Sequence, residues 1–183
     1  MSAVRKLGAL AALIAVLGAT PVWAKVFLTT EEALKLAFPG CTVQRGTVYL
    51  TPEQLERASK ASGQPPAQAV VNPYAATCEG KPAGTAYFDV HRVRTLPETI
   101  MVVVAPDGTV RRIEVLAFNE PEDYLPKAAW YGQFVGKKLS DELSLKQAIR
   151  PISGATLTAR ATTEAVRRVL AVHQVLATPS VPK

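Results

Sequence analysis

Two apolar segments on either side of a tight turn constrain the fold of this chain more than any other feature. Residues 98–105 (ETIMVVVA) and 109–118 (TVRRIEVLAF) are rich in β-branched side chains, and Pro106-Asp107-Gly108 separates them. Pro, Asp and Gly in succession are typical of a turn, and runs of this length and composition are typical of strands. The pattern therefore predicts an antiparallel hairpin, whose apolar strands need a larger sheet or helices to cover them.

The rest of the chain alternates between strand-like and helix-like segments without repeats. Strands are predicted at residues 42–50 and 85–93, and a loop at 64–82, where Pro, Ala and Gly are frequent. Helices are predicted after two capping boxes, Thr29–Glu32 and Thr51–Gln54, and at residues 124–134 and 159–175. The predicted fold class is α+β, an antiparallel sheet with helices packed on it.

The first 24 residues are typical of a secretory signal. Arg5 and Lys6 precede an uncharged apolar run at 7–19, and Val22 and Ala24 occupy the positions that a signal peptidase reads. Cleavage after Ala24 is predicted, with an uncleaved membrane anchor as the alternative. The expected location is periplasmic or otherwise extracytoplasmic, either free or associated with the membrane. A helical and strand extension at 25–82 and a main domain at 83–178 would follow.

Composition and charge narrow the class of protein. A content of 48% hydrophobic and 20% charged residues is that of a globular chain. The net charge is +6, and the basic residues are scattered rather than clustered, so nucleic-acid binding is not expected. His91 and His173 are isolated, which gives no metal-ligand spacing and no Ser–His–Asp arrangement for an exported hydrolase. Cys41 and Cys78 could form one disulfide or remain two free thiols.

The segment before the last predicted helix carries the chemistry. Residues 153–158 (SGATLT) combine three hydroxyls with Gly154, which lets the backbone approach a ligand closely. The free N–H groups of a helix N-terminus suit a phosphate. From the physical properties of these residues alone, a simple capping turn is the favoured interpretation.

This segment resembles the flavinylation site of the FMN-binding domain family. That family includes flavin-carrying components of the sodium-pumping NADH:quinone oxidoreductase and of the Rnf complex. The hairpin, residues 118–121 (FNEP) and residues 133–137 (QFVGK) also resemble family elements. The likeness covers residues 85–176, about half of the chain, and is strongest to small exported single-domain members.

The resemblance implies FMN as the cofactor, joined through its phosphate to Thr156 by a flavin transferase that uses FAD. Further cofactor-binding residues are predicted on this basis: Ser153, Gly154, Ala155, Thr158, Glu120 and Trp130. Trp130 and Tyr131 could border the flavin ring, because aromatic side chains stack at such sites, and core packing of at least one of them is the alternative. Arg150 stands where the family motif has an acidic residue. FMN bound without a covalent bond, its phosphate paired with Arg150, is therefore the alternative.

The cofactor indicates the function. A flavin carries electrons, and the chain has no G-x-G-x-x-G signature for a nicotinamide cofactor. We therefore expect an electron carrier rather than an enzyme with its own substrate site. Its redox partner is unidentified and could be a membrane oxidoreductase complex. A structural or ligand-binding module on the same fold, without a redox role, is the alternative from another class.

Overall fold

A six-stranded antiparallel sheet organises the molecule. The computed structural model describes residues 25–178, so the predicted signal peptide lies outside the described residues. The sheet order is β1-β8-β7-β6-β5-β2, and β3 and β4 form a separate pair. The strands are β1 (Lys25–Val26), β2 (Thr42–Arg45), β3 (Val48–Tyr49), β4 (Val70–Val71), β5 (Tyr74–Cys78), β6 (Lys81–Arg92), β7 (Pro97–Val104) and β8 (Val110–Phe118). The helices are α1 (Thr30–Ala37), α2 (Pro52–Ser62), α3 (Ala128–Tyr131) and α4 (Thr156–Ala177).

The predicted hairpin is confirmed as β7 and β8, two interior strands of the sheet. Val102 pairs with Ile113 in the antiparallel register. The side chain of Asp107 closes the turn by accepting hydrogen bonds from the backbone N–H and the hydroxyl of Thr109, at 3.0 and 2.7 Å. The α+β class is also confirmed, because four helices pack around this antiparallel sheet.

Both predicted capping boxes are confirmed. Thr29 and Glu32 exchange side-chain and backbone hydrogen bonds at the start of α1, and Thr51 and Gln54 do the same at the start of α2. Each box satisfies N–H groups that the helix itself leaves free, which explains why these short segments are helical.

The single helix predicted at residues 124–134 is wrong. The segment contains the short helix α3 between two 3-10 turns, Glu122–Tyr124 and Gly132–Phe134. Leu125 precedes Pro126 and is extended, with φ −81° and ψ 119°, because a proline disfavours the helical conformation in the residue before it.

The loop predicted at residues 64–82 is also wrong, because it contains β4, β5 and the start of β6. Gly84 allows β6 to pair closely with β7: its φ is +137°, and a Cβ atom there would lie 2.7 Å from the carbonyl oxygen of Val104.

Cys41 and Cys78 form a disulfide between the residue before β2 and the end of β5, with their Cα atoms 4.4 Å apart. Residues 25–82 therefore supply strands to the same sheet, and the predicted boundary at 82/83 falls inside β6.

Each face of the sheet has its own apolar core. Helices α2 and α4 cover one face, where Val102, Phe134 and Val166 are fully buried. Helix α1 covers the other face over Met101 and Val103. Helix α4 begins three residues earlier than predicted, which places part of the SGATLT segment inside its first turn. Within residues 25–178, none of the helices is both long and apolar enough to span a membrane.

Candidate functional site

The N-terminus of α4 presents unpaired backbone N–H groups. Thr156 is its first residue, and Ala155 precedes it without a side chain that could cap the helix. The backbone N–H groups of Thr156, Leu157 and Thr158 have no hydrogen-bond partner among the described residues. Gly154 has a φ of +84°, a left-handed conformation that turns the chain into the helix. This geometry can bind a phosphate, because the N–H groups and the helix dipole both favour negative charge.

The hydroxyl groups of this segment differ in accessibility. Thr156 is exposed, and its Oγ1 donates a hydrogen bond of 3.0 Å to the carbonyl oxygen of Ile152. Thr158 is 1% exposed, and its Oγ1 donates to the carbonyl oxygen of Tyr124 at 2.7 Å. Ser153 is exposed, like Thr156. Because Thr156 uses its proton on Ile152, the lone pairs of its oxygen remain available to an external group.

A cavity of 290 Å³ lies directly against this helix terminus. Residues 154–158 form one side of it, and Arg94 and Tyr124 form the other. The guanidinium of Arg94 lies 4.7 Å from the ring centroid of Tyr124, which holds the cation over the aromatic face. The cavity therefore combines a cation, helix N–H groups and an aromatic ring.

A larger cavity of 510 Å³ also borders Thr156. Lys146 and Arg160 line it together with Gln64, which comes from the segment after α2. Thr156 therefore borders both cavities.

Trp130 and Gln133 hold the backbone at the start of the segment. The indole N–H of Trp130 donates to the carbonyl oxygen of Arg150 at 2.7 Å, and Gln133 Oε1 accepts from the N–H of Arg150 at 2.9 Å. Trp130 is 8% exposed and packs edge-on against Tyr131 and Phe134, with centroid distances of 5.2 and 5.4 Å. It is a core residue that positions residue 150, and it is not among the residues that line the two cavities.

Glu120 organises the turn between β6 and β7. Its Oε1 accepts hydrogen bonds from the backbone N–H groups of Arg94, Thr95 and Leu96, at 3.2, 2.6 and 2.8 Å. Although burial opposes the effect, these hydrogen bonds lower the pKa of Glu120 below its ordinary value, which favours the charged form. Glu120 thus fixes the turn that carries Arg94 into the cavity.

The structure brings one group of the predicted residues together at the cavity: Gly154, Ala155, Thr156 and Thr158. Ser153 adjoins them, whereas Glu120 and Trp130 lie behind and act through hydrogen bonds to backbone. Sequence reasoning missed Arg94 and Tyr124 as lining residues. No neighbouring residue in the sequence indicates that Arg94 belongs to the site. Tyr124 lies shortly after the FNEP element and could have been considered for that reason.

The fold and the site together define an α+β domain with a phosphate-receptive helix terminus. Comparison with known families names the class: residues 96–171 match the family model described as an FMN-binding domain. The match supports FMN as the cofactor of this part of the chain. No curated protein and no solved structure matches the chain significantly. The finer resemblance to components of the two respiratory complexes stays a prediction.

The residues of the site fit the cofactor. FMN carries a phosphate, and the cavity offers three free N–H groups and the cation of Arg94 to hold it. Its ring is aromatic, and Tyr124 supplies an aromatic surface beside the exposed side chain of Leu157. When bound, FMN supplies the capacity to accept and release one or two electrons.

Proposed function

We propose that this protein is an extracytoplasmic electron carrier whose FMN is attached through a phosphoester to Thr156. The observation that carries the proposal is the position of the Thr156 hydroxyl. It is exposed, it stands at the uncapped N-terminus of a 22-residue helix, and it borders two cavities. Thr158, two residues further along, is buried and hydrogen-bonded to Tyr124, so it is the poorer candidate for attachment.

The attachment requires a flavin transferase as a partner, with FAD as the donor. Thr156 Oγ1 would lose its proton and form the new bond to phosphorus, while the anhydride bond of FAD breaks and AMP leaves. The hydrogen bond to Ile152 favours this role, because it directs the hydroxyl proton to the backbone and leaves the lone pairs free. The free N–H groups of the first turn would then stabilise the charge of the phosphodiester.

Arg94 supplies the cation that the site needs. The sequence alternative pairs the phosphate with Arg150, but Arg150 is not among the residues that line either cavity beside Thr156, whereas Arg94 lines the smaller one. In our proposal, Arg94 holds the phosphate before and after attachment, and Glu120 keeps the Arg94 turn in place.

A role in electron transfer follows from the cofactor and from the absence of a nicotinamide-binding signature in the sequence. We propose that the protein passes electrons between partners and has no substrate site of its own. A covalent link would keep the flavin on the protein in a compartment where free FMN is scarce. Export would leave the fold intact, because cleavage after Ala24 retains all of β1, which begins at Lys25.

The test compares Thr156→Val with Ser153→Ala, each coexpressed with a flavin transferase. Both variants remove one exposed hydroxyl from the same segment, but only the first removes the proposed attachment atom. We expect the Thr156 variant to lose flavin fluorescence in a denaturing gel and the Ser153 variant to retain it. Covalent flavin on Thr156→Val would disprove the assignment. Wild-type protein that binds no flavin at all would favour the non-redox alternative.

The location has its own test. N-terminal sequencing of the protein from the periplasmic fraction should give Lys25 as the first residue. A full-length chain retained in the membrane would contradict the predicted cleavage and favour the anchor.

A further inference from the structure

A third cavity lies far from Thr156, between β6, α4 and residues 66–72. Its volume is 260 Å³, and it shares no lining residue with the two cavities beside Thr156. Arg168 lines it from α4, twelve residues after Thr156. At a rise of about 1.5 Å per residue, the two positions are about 18 Å apart along the helix, so this cavity is separate from the site of the cofactor.

An ion pair forms the polar wall of this cavity. Arg168 Nη2 donates to Asp89 Oδ1 at 3.0 Å, and Asp89 is 5% exposed. Behind it, His91 bridges two carboxylates, with Nδ1 3.0 Å from Asp89 Oδ1 and Nε2 2.9 Å from Glu98 Oε2. Glu98 is fully buried and also accepts from the hydroxyl group of Thr162 at 3.0 Å. These contacts fix Asp89, which in turn fixes the guanidinium of Arg168.

The charges around the cavity leave a positive surplus. His91 between two carboxylates must share a proton with them, because a neutral imidazole donates only one hydrogen bond. Although burial opposes it, the hydrogen bonds that His91 makes to Asp89 and Glu98 raise the pKa of His91, which favours the protonated imidazole. Arg168 and His91 then balance the two carboxylates. Arg45 lines the same cavity and has no carboxylate within 4.0 Å among residues 25–178.

The two arginines of this wall carry hydrogen-bond donors that have no partner among the described residues. Asp89 Oδ1 already accepts two hydrogen bonds, from His91 and Arg168. Within the guanidinium of Arg168, only Nη2 has a partner among the described residues, which is Asp89. Arg45 is exposed at the cavity and makes no side-chain hydrogen bond within the described part of the chain. A ligand that accepts hydrogen bonds and carries negative charge is therefore complementary to this wall.

Apolar side chains also line the cavity. Val169 and Val172 contribute them from α4, Tyr87 from β6, and Val70 and Val71 from β4. Concave sites with apolar walls and a few convergent polar groups are the usual form of small-molecule sites. The volume of 260 Å³ limits the occupant to a small molecule.

We propose that this cavity is a second binding site, which takes a small organic anion with an apolar body, such as an aromatic carboxylate. The carboxylate faces Arg45 and the guanidinium of Arg168, and the apolar body packs against Val169 and Val172. The site is independent of the flavin, because no group at Thr156 contributes to it.

The test uses benzoate as the probe and benzamide as its neutral control of the same shape, added to the purified 15N-labelled protein. We expect saturable amide shifts from benzoate at residues 66–72, 87–90 and 168–172, and binding of benzamide at least about tenfold weaker. Arg45→Gln should weaken benzoate binding about tenfold. Arg57→Gln removes an equal charge from the exposed surface of α2, outside the cavity, and should leave the affinity unchanged.

A variant that fills the cavity separates local binding from general charge effects. Ala67 is exposed and lines the cavity, so Ala67→Trp should abolish the benzoate shifts without disturbing the core. Equal affinity for benzoate and benzamide, equal effects of Arg45→Gln and Arg57→Gln, or no saturable binding would each overturn the proposal. None of these measurements needs the flavin, so the proposal and the proposed function fail or succeed separately.

Discussion

The indole N–H of Trp130 and the carbonyl oxygen of Arg150 are joined by a hydrogen bond of 2.7 Å. Gln133 holds the N–H of the same residue, so both backbone groups of Arg150 are fixed from one neighbouring segment. The SGATLT segment begins three residues later. The aromatic cluster of Trp130, Tyr131 and Phe134, together with Gln133, therefore sets where this segment starts, and the side chain of Arg150 takes no part in these hydrogen bonds.

We predict that Trp130→Phe slows flavin incorporation by about tenfold or more, because a small displacement of the acceptor hydroxyl is costly for group transfer. Phenylalanine keeps the aromatic packing and removes the donor to Arg150. The measurement is the initial rate of covalent flavin formation with the transferase. Phe134→Leu is the matched control, because it perturbs the same cluster without touching Arg150. Equal slowing in both variants would mean that only stability matters.

We predict that Arg150→Asp increases the fraction of protein that carries covalent flavin. The side chain of Arg150 is exposed, and the hydrogen bonds with Trp130 and Gln133 use only the backbone of Arg150. The free energy of unfolding should therefore change by no more than about 0.5 kcal/mol. Intact mass after coexpression with the transferase measures the fraction. Arg160→Asp makes the same charge change on an exposed residue beside Thr156 and serves as the control. A similar increase in both variants would indicate a general charge effect instead of a transferase signal.

We predict that Glu120→Gln lowers the free energy of unfolding by about 1–3 kcal/mol at pH 7, because it weakens charge-assisted hydrogen bonds to three backbone N–H groups. The pKa of Glu120 is lowered from 4.5 in the folded state, although burial opposes this, because the same N–H groups hydrogen-bond to the carboxylate. Its stabilisation is therefore fully present above pH 4.5 and is lost as the pH falls through the folded value. Urea unfolding of both proteins at pH 7 and pH 3 tests this. If the two proteins differed in free energy of unfolding as much at pH 3 as at pH 7, the prediction would be contradicted.

We predict that His91→Gln lowers the free energy of unfolding by about 3–5 kcal/mol near pH 6, because Asp89 and Glu98 lose the buried cation between them. Although burial opposes it, the hydrogen bonds to these two carboxylates raise the pKa of His91 above 6.5. The stabilisation is thus fully present below pH 6.5 and is lost as the pH rises through the folded value. Urea unfolding of both proteins between pH 6 and pH 9 should show that their difference in free energy of unfolding becomes smaller as the pH rises.

His173→Gln is the control for that pH dependence. Burial lowers the pKa of His173 below 6.5, so its contribution is present above pH 6.5 and is lost on the acid side. The two variants should therefore show opposite trends with pH. The same trend in both would contradict the assignment of a buried, protonated His91.

The sequence by itself determined the local elements of this protein. Pro106-Asp107-Gly108 between two β-branched runs specified the hairpin, and the two capping boxes specified α1 and α2, because these signals depend on neighbours within a few residues. The SGATLT segment before an amphipathic helix indicated the candidate site for the same reason.

Only the tertiary structure decided which side chains meet at that site. The strands within residues 64–82 were hidden because β5 exists through its pairing with β2 and β6, which local composition does not encode. Arg94 comes within the same cavity as Thr156 because Glu120 holds its turn, and these residues are far apart in sequence. The buried bridge from Asp89 through His91 to Glu98 likewise depends on the register of β6 with β7. Long-range pairing and packing bring these groups together, so no local pattern could have predicted them.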